Sequence, residues 1–279
     1  MPENMKEKQR IEQEKINRSL ARVKNRIMII SGKGGVGKST VSANLAMTLV
    51  QKGFQTGLLD IDVHGPSIPS FFNLSGQRLA VEDGRIIPAQ YENKLKVMST
   101  AFLLQNQDSA VIWRGPMKHG VIKQFISDVA WGDLDFLVID SPPGTGDEPL
   151  SIAQLIQEPR FAVLVATPQN MAIIDVKKTV TFCQTLKIKI LGVIENMSGF
   201  VCPYCNKVSY IFNKGGAEKM ARDMQVPYLG AIPLDKDIVS ASDQGKPYII
   251  DHPDSAAAKQ FSQVVERMLA NLTQMSETA

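Results

Sequence analysis

The 279-residue sequence predicts an α/β protein, a mostly parallel sheet with helices on both faces. Three observations predict it. Short apolar runs recur along the chain, each closed by glycine, proline or an acidic residue. Stretches with apolar residues at helical spacing lie between them. The runs are apolar at successive positions rather than alternate ones, as strands covered on both faces require.

Residues 1–25 read as a charged leader, part helix, in which Ile11, Ile16 and Leu20 are too sparse to bury a wide face. One domain follows over 26–272, and 273–279 is a tail. "RIMII" from Arg26 is a buried strand ending at a glycine-rich turn. The next segment places Val41, Leu45, Ala46 and Leu49 at helical spacing and stops at Gly53. "QTGLLDID" is a second strand, and "GRIIPA" with "KLKVMST" reads as an inserted hairpin. "DLDFLVIDSPPG" is a third core strand, broken at Pro142, Pro143 and Gly144. "FAVLVATPQ" and "KILGVIENM" are two more, separated by a helix over 173–186, and "PYLGAIPLD" is the last. Right-handed crossovers join such strands, and ligands gather at their carboxyl ends.

Composition narrows the function. Lys plus Arg is 31 and Asp plus Glu is 28, a net charge of +3, too small to argue for nucleic acid or an anionic membrane. The N-terminal stretch is charged and lacks an apolar signal core, and no apolar run approaches the roughly 20 residues of a membrane span. Three cysteines make no disulfide framework, and the expected compartment is the reducing cytoplasm. In the last helical stretch Phe261, Val264, Val265, Met268 and Leu269 share one face, with Lys259 and Arg267 the only basic residues. That pattern fits a helix packed on the domain better than a membrane-surface helix.

"SGKGGVGKST" carries the chemistry. Gly32, four residues, then Gly37, Lys38 and Ser39 make the G-x-x-x-x-G-K-[ST] phosphate loop, between an apolar strand and an amphipathic helix. Gly32, Gly34, Gly35, Val36, Gly37, Lys38, Ser39 and Thr40 are the expected nucleotide contacts. Glycines let backbone N–H groups turn toward phosphate, and the helix N-terminus adds positive potential. Lys38 reaches the β- and γ-phosphates of ATP, and Ser39 offers its hydroxyl to Mg²⁺. Asp60 and Asp62 close the second strand and Asp140 the third, placed to hold Mg²⁺ directly or through water. Each alone could equally be a cap or turn residue; beside a phosphate loop the metal reading is favoured. Lys33 is a second lysine inside the loop, either solvated or pointing outward to a further task.

Cys202 and Cys205 bracket Pro203 and Tyr204, a spacing that lets both sulfurs converge on one metal or cluster. Two thiolates do not complete a four-coordinate site, and Cys183, inside a helical pattern, reads as a core residue. A bridging Zn²⁺ and a redox pair are the rival readings. The redox pair fits less well, because a β-like stretch follows rather than a helix. His64, His119 and His252 have no partner at metal-ligand spacing and read as surface or packing residues.

"KGGVGKST" resembles the deviant Walker A motif of the MinD/ParA/nitrogenase-iron-protein superfamily of P-loop NTPases. With it, "LLDIDVHGPSIP", "WRGPMKHG", "DFLVIDSPPGTGD", "VIENMSGFVCPYC", "FNKGGAEKMA" and "IPLD" resemble the Mrp (ApbC/Nbp) branch of iron–sulfur cluster carriers, over roughly Arg26 to Lys246. The resemblance implies a homodimer sandwiching two ATP and hydrolysing it slowly. Lys33 would cross to the partner's phosphates, Asp62 would position the attacking water, and Asp140 would be the Walker B aspartate before switch II. Asn196 would contact adenine, with Pro233 also at the nucleotide. Catalysis would then rest on Lys33, Lys38 and Asp62.

A two-fold axis brings two cysteine pairs together, giving four thiolates for one bridging [4Fe–4S] cluster. The resemblance agrees, and implies a cluster donor and apoprotein recipients, with no nucleic acid and no membrane. Two departures stand out. Glu148 and Pro149 follow "PPGTGD" where the family pattern differs, and no cysteine precedes residue 183.

Overall fold

The computed structural model describes residues 3–62, 65–103, 115–156, 158, 160–202, 204, 205 and 207–277. Its strands are β1 (Val23–Ser31), β2 (Thr56–Asp60), β3 (Val81–Glu82), β4 (Arg85–Ile86), β5 (Ala89–Tyr91), β6 (Leu95–Ser99), β7 (Leu134–Asp140), β8 (Arg160–Ala166), β9 (Lys189–Glu195), β10 (Phe200–Val201), β11 (Val208–Ser209) and β12 (Tyr228–Ala231). Eight form one sheet in the order β12-β9-β8-β1-β7-β2-β6-β5, parallel except for β5. The helices are α1 (Glu3–Leu20), α2 (Lys38–Gln51), α3 (Gly115–Ser127), α4 (Asp147–Leu155), α5 (Asn170–Thr185), α6 (Gly216–Asp223), α7 (Lys236–Asp243), α8 (Tyr248–Asp251) and α9 (Ala256–Glu277).

Successive strand residues serve opposite layers, because side chains alternate across a sheet. Ile27 and Ile29 of β1 pack with α2, α7, α8 and α9. Met28 and Ile30 pack with α1, α3, α4, α5 and α6. All four are fully buried, which explains why the strand reads as a continuous apolar run. The face of α9 reads as expected: Phe261, Val264, Val265 and Met268 are buried, and Leu269 packs beside them.

Three expectations need correction. Ile16 and Leu20 of α1 are 0% and 2% exposed against the layer built on α3, and Ser19 Oγ donates to the Val129 carbonyl at 3.2 Å. Two apolar residues four apart are enough when a neighbouring helix takes both. The first strand begins at Val23, paired with Leu134, three residues before the expected start, and α9 runs unbroken to Glu277, with no glycine or proline to stop it. The inserted hairpin belongs to the main sheet. β6 lies parallel beside β2, in register from Thr56↔Leu95 to Asp60↔Ser99, and β5 turns back on β6 as the edge. Leu95 and Val97 are buried in the core, which a surface hairpin would not require. The small hairpin is instead β3–β4.

Pro149 falls in the first turn of α4, where proline is tolerated, and Glu148 sits at the positive end of that helix. Glu148 and Pro149 are therefore compatible with the helix. His64 and Pro203 lie outside the described residues, as does the side chain of His119. Among the described residues no helix is long and apolar enough to cross a membrane.

Candidate functional site

The parallel register puts three polar side chains in a row at the carboxyl end of the sheet. Asp60 of β2 stands opposite Asp140 of β7 on one side and Ser99 of β6 on the other. The phosphate loop crosses this end from Ser31, the last residue of β1, to Lys38, the first of α2. Gly35 and Gly37 both have φ of +78°, a left-handed conformation that glycine adopts without strain. A Cβ on Gly32 would meet backbone and side-chain atoms of Asp175 at 2.5–2.7 Å, so the first motif glycine admits α5 against the loop. Val36 is buried in the core and anchors the loop from beneath.

Lys38 Nζ sits 2.8 Å from Asp140 Oδ1, with both side chains almost wholly buried. Ser39 Oγ donates to Asp140 Oδ2 at 2.6 Å, and Ser42 Oγ to Asp140 Oδ1 at 2.7 Å. Asp60 accepts from Ser99 Oγ at 2.9 Å, the Asp62 N–H at 3.1 Å and the Ile68 N–H at 3.3 Å. Burial, and then the Asp140 charge, push its carboxyl up to about 7. The donor set of Ser39, Asp60 and Asp140 is all hard oxygen and fits Mg²⁺.

Lys38 and Ser39 open on a cleft of about 410 Å³, which the buried Asp60 and Asp140 do not line. Lys33, Gly34, Gly35, Gly37, Lys38, Ser39, Thr40 and Asp62 line it, joined by Ser67, Ser70, Phe71, Ser242 and Asp243 from elements sequence reading did not connect to the site. Lys33 Nζ meets Gln169 Oε1 at 3.5 Å. The segment after β7 is tied to β1 by the Gly144 N–H, which donates to the Ser31 carbonyl at 2.8 Å.

Asn196 is buried and donates through Nδ2 to the Val36 carbonyl at 2.9 Å, pressed against Gly37 so closely that a side chain on that glycine would displace it. Pro233 does not line the phosphate-loop cleft. It lines a separate cavity of about 260 Å³ with Phe200, Val201 and Leu234.

Cys202 and Cys205 occupy the turn of the β10–β11 hairpin, closed by the Cys202 N–H donating to the Lys207 carbonyl at 3.0 Å. The backbone N–H groups of Tyr204 and Cys205 face the Cys202 sulfur and hold its pKa below the usual thiol range. The turn thus favours a thiolate, the form that binds metal. Cys205 is exposed and Cys202 half-exposed, whereas Cys183 is buried and its thiol pushed up to about 12 by desolvation. No cluster of three or more metal-binding side chains exists among the described residues.

Of the residues singled out from sequence, Lys33, Gly34, Gly35, Gly37, Lys38, Ser39, Thr40 and Asp62 come together at this cleft. Sequence reading missed Ser42, which lies four positions after Lys38 on the same helix face, a spacing that could have found it. It missed Ser99, whose partner Asp60 lies 39 residues away in the chain.

Comparison with known proteins agrees with this geometry. Residues 22–269 match the ParA family model described as the NUBPL iron-transfer P-loop NTPase. An "iron-sulfur cluster carrier protein" of Saccharolobus solfataricus is 47% identical over 255 residues, 91% of this chain and 86% of that protein. The bovine "cytosolic Fe-S cluster assembly factor NUBP2" is 43% identical over 90% of this chain and 94% of that protein. Among solved structures, a nucleotide-binding protein of Archaeoglobus fulgidus in complex with ADP superposes with TM-score 0.75 at 40% identity, covering 85% of this chain and 92% of that one. MinD of Pyrococcus horikoshii with Mg-ADP gives 0.66 at 26% identity, covering 89% and 98%. The chain belongs to the NUBPL iron-transfer branch of the ParA-type P-loop NTPases.

Proposed function

We propose that the protein is an ATP-binding, slowly ATP-hydrolysing carrier of iron–sulfur clusters. Two copies hold one [4Fe–4S] cluster between their cysteine hairpins and pass it from a donor to apoproteins in the cytoplasm. The observation that carries this reading is the Cys202–Cys205 turn, one thiol exposed and one half-exposed, with no third metal ligand beside them among the described residues. A second copy across a two-fold axis supplies the missing pair.

The nucleotide chemistry follows from the cleft. On binding ATP, Lys38 exchanges Asp140 for the β- and γ-phosphates, while the loop N–H groups cradle the chain of phosphates. Ser39, with Asp60 and Asp140, would hold Mg²⁺, which would neutralise charge on the phosphate oxygens. Asp62, at the cleft rim, orients the attacking water. Lys33 leaves Gln169 and reaches the partner's nucleotide. Asn196, hydrogen-bonded to the phosphate loop, would border the adenine, with Pro233 also at the nucleotide. Cluster release is ligand exchange: incoming thiolates of the recipient replace those of Cys202 and Cys205 on iron, with no change in oxidation state.

A positioning ATPase of the MinD type would share the cleft but needs a free amphipathic helix; here the apolar face of α9 is spent on the core. Transfer tests the proposal. Reconstituted protein should restore activity to an apo-[4Fe–4S] dehydratase, and Cys202→Ala should not. Equal restoration by the variant would refute cysteine-bound transfer.

A further inference from the structure

Glu195 is a buried carboxylate with no part in the nucleotide chemistry above. It ends β9, is 1% exposed, and uses both oxygens. Oε1 accepts from Ser198 Oγ at 2.5 Å and from the Gly215 N–H at 3.2 Å; Oε2 accepts from the Ala217 N–H at 2.9 Å. Ser198 lies on the outgoing arm of the cysteine hairpin. Gly215 and Ala217 lie on its return arm and at the start of α6, where no side chain of the helix's own makes the cap. One carboxylate therefore grips both ends of the loop that carries Cys202 and Cys205.

The same residue adjoins the nucleotide site. Asn196, its immediate neighbour, holds the Val36 carbonyl of the phosphate loop and sits against Gly37. The backbone then turns sharply. Met197 has φ of +58°, a left-handed conformation costly for its side chain, and Gly199 has φ of +78°. A Cβ on Gly199 would meet Tyr210 and Val208 at 3.2 Å, so the outgoing arm is packed tightly on the return arm. The Ser198 N–H donates to the Ile232 carbonyl and the Leu234 N–H to the Gly199 carbonyl, both at 2.8 Å, fixing the stem to the segment that lines the Pro233 cavity. Five residues, Glu195 to Gly199, thus span from the phosphate loop to the base of the hairpin without a free joint.

We propose that Glu195 is a positioning residue that transmits the nucleotide state of the phosphate loop to the cysteine turn, by holding both arms of the hairpin to the strand end that carries Asn196. The inference rests on the carrier reading for its purpose, though not for its test. When nucleotide displaces the loop at Val36 and Gly37, Asn196 follows, and the carboxylate moves Ser198 and Gly215 together. The cysteine turn then shifts as a unit instead of loosening at one arm.

Thiol reactivity tests this without iron. Alkylation of Cys202 and Cys205 by iodoacetamide is followed in the metal-free protein, with and without the ATP analogue AMP-PNP. Cys183 is buried and does not contribute to the signal. In wild type the analogue should change the rate about 5-fold or more. In Glu195→Gln, whose amide nitrogen turns a donor toward one of the three donors, that response should vanish while AMP-PNP binds with unchanged affinity. Ser198→Ala, which removes one grip only and is expected to fold, should retain part of it. No response in wild type, or a full response in both variants, would overturn the inference. A response that disappears as expected in a protein that never takes up iron would uphold Glu195 and refute the cluster-carrier reading instead.

Discussion

Lys38 and Asp140 form a buried ion pair at 2.8 Å, and the same carboxylate also receives Ser39 and Ser42. The phosphate-loop lysine and the aspartate that ends β7 therefore hold each other. Removing only the lysine strands a buried carboxylate beside Asp60, which is costly. Lys38→Ala should abolish ATP binding and also lower unfolding stability by about 3 kcal/mol, the two hydroxyls offsetting part of the loss. Adding Asp140→Asn should recover much of that stability but no ATP binding. Denaturant unfolding of both variants checks this; an unchanged midpoint in Lys38→Ala would mean that the pair is not formed in solution.

Asp60 gives a pH signature. Its carboxyl is held up at about 7 by burial and by Asp140, against an ordinary value of 3.8. The folded chain keeps this proton through a range in which the unfolded chain has lost it. Its contribution to stability therefore falls as pH rises from about 4 to about 7 and levels off above. Asp60→Asn stays neutral, so its unfolding free energy should gain on wild type by about 1 kcal/mol per pH unit across that window, without Mg²⁺ or nucleotide. A difference that is flat with pH would show Asp60 already ionised when folded.

Gly37 and Asn196 are coupled by space. Gly37 combines φ of +78° with the amide of Asn196 directly above it. Gly37→Ala should strain the loop and expel that amide, abolishing ATP binding. Asn196→Ala should leave the loop intact and weaken ATP binding by about 10-fold, the loss of roughly one well-placed hydrogen bond. Titration calorimetry separates the two cases, and equal losses in both would contradict this division.

The thiols should separate by environment. At pH 8 Cys202 should be alkylated first, because backbone N–H groups favour its thiolate, and Cys183, raised to about 12 and buried, should stay silent until the protein unfolds. Peptide mapping by mass spectrometry after timed labelling reads the order. Labelling of Cys183 in the folded protein would contradict its burial.

What could be read from sequence was local. The loop from Gly32 to Thr40 announces itself because phosphate recognition needs consecutive backbone N–H groups. Asp60 and Asp140 were legible because each ends an apolar strand, and the cysteine pair because two sulfurs at one turn need that spacing. The row Ser99–Asp60–Asp140 was not, since it depends on three strands lying in register. β6 was misread because its place beside β2 is set by a long crossover rather than by its own pattern. Ile16 and Leu20 were discounted because α3, which covers them, is over a hundred residues away in the chain. Glu195 reads as one more acid at a strand end until Ser198, Gly215 and Ala217 converge on it.

Two cysteine turns that share one cluster require a fixed metal count, read as iron and acid-labile sulfide per dimer after anaerobic reconstitution, wild type beside Cys205→Ala. About four of each in wild type, lost in the variant, are expected. No iron in wild type, or a full complement in Cys205→Ala, would contradict the bridging cluster.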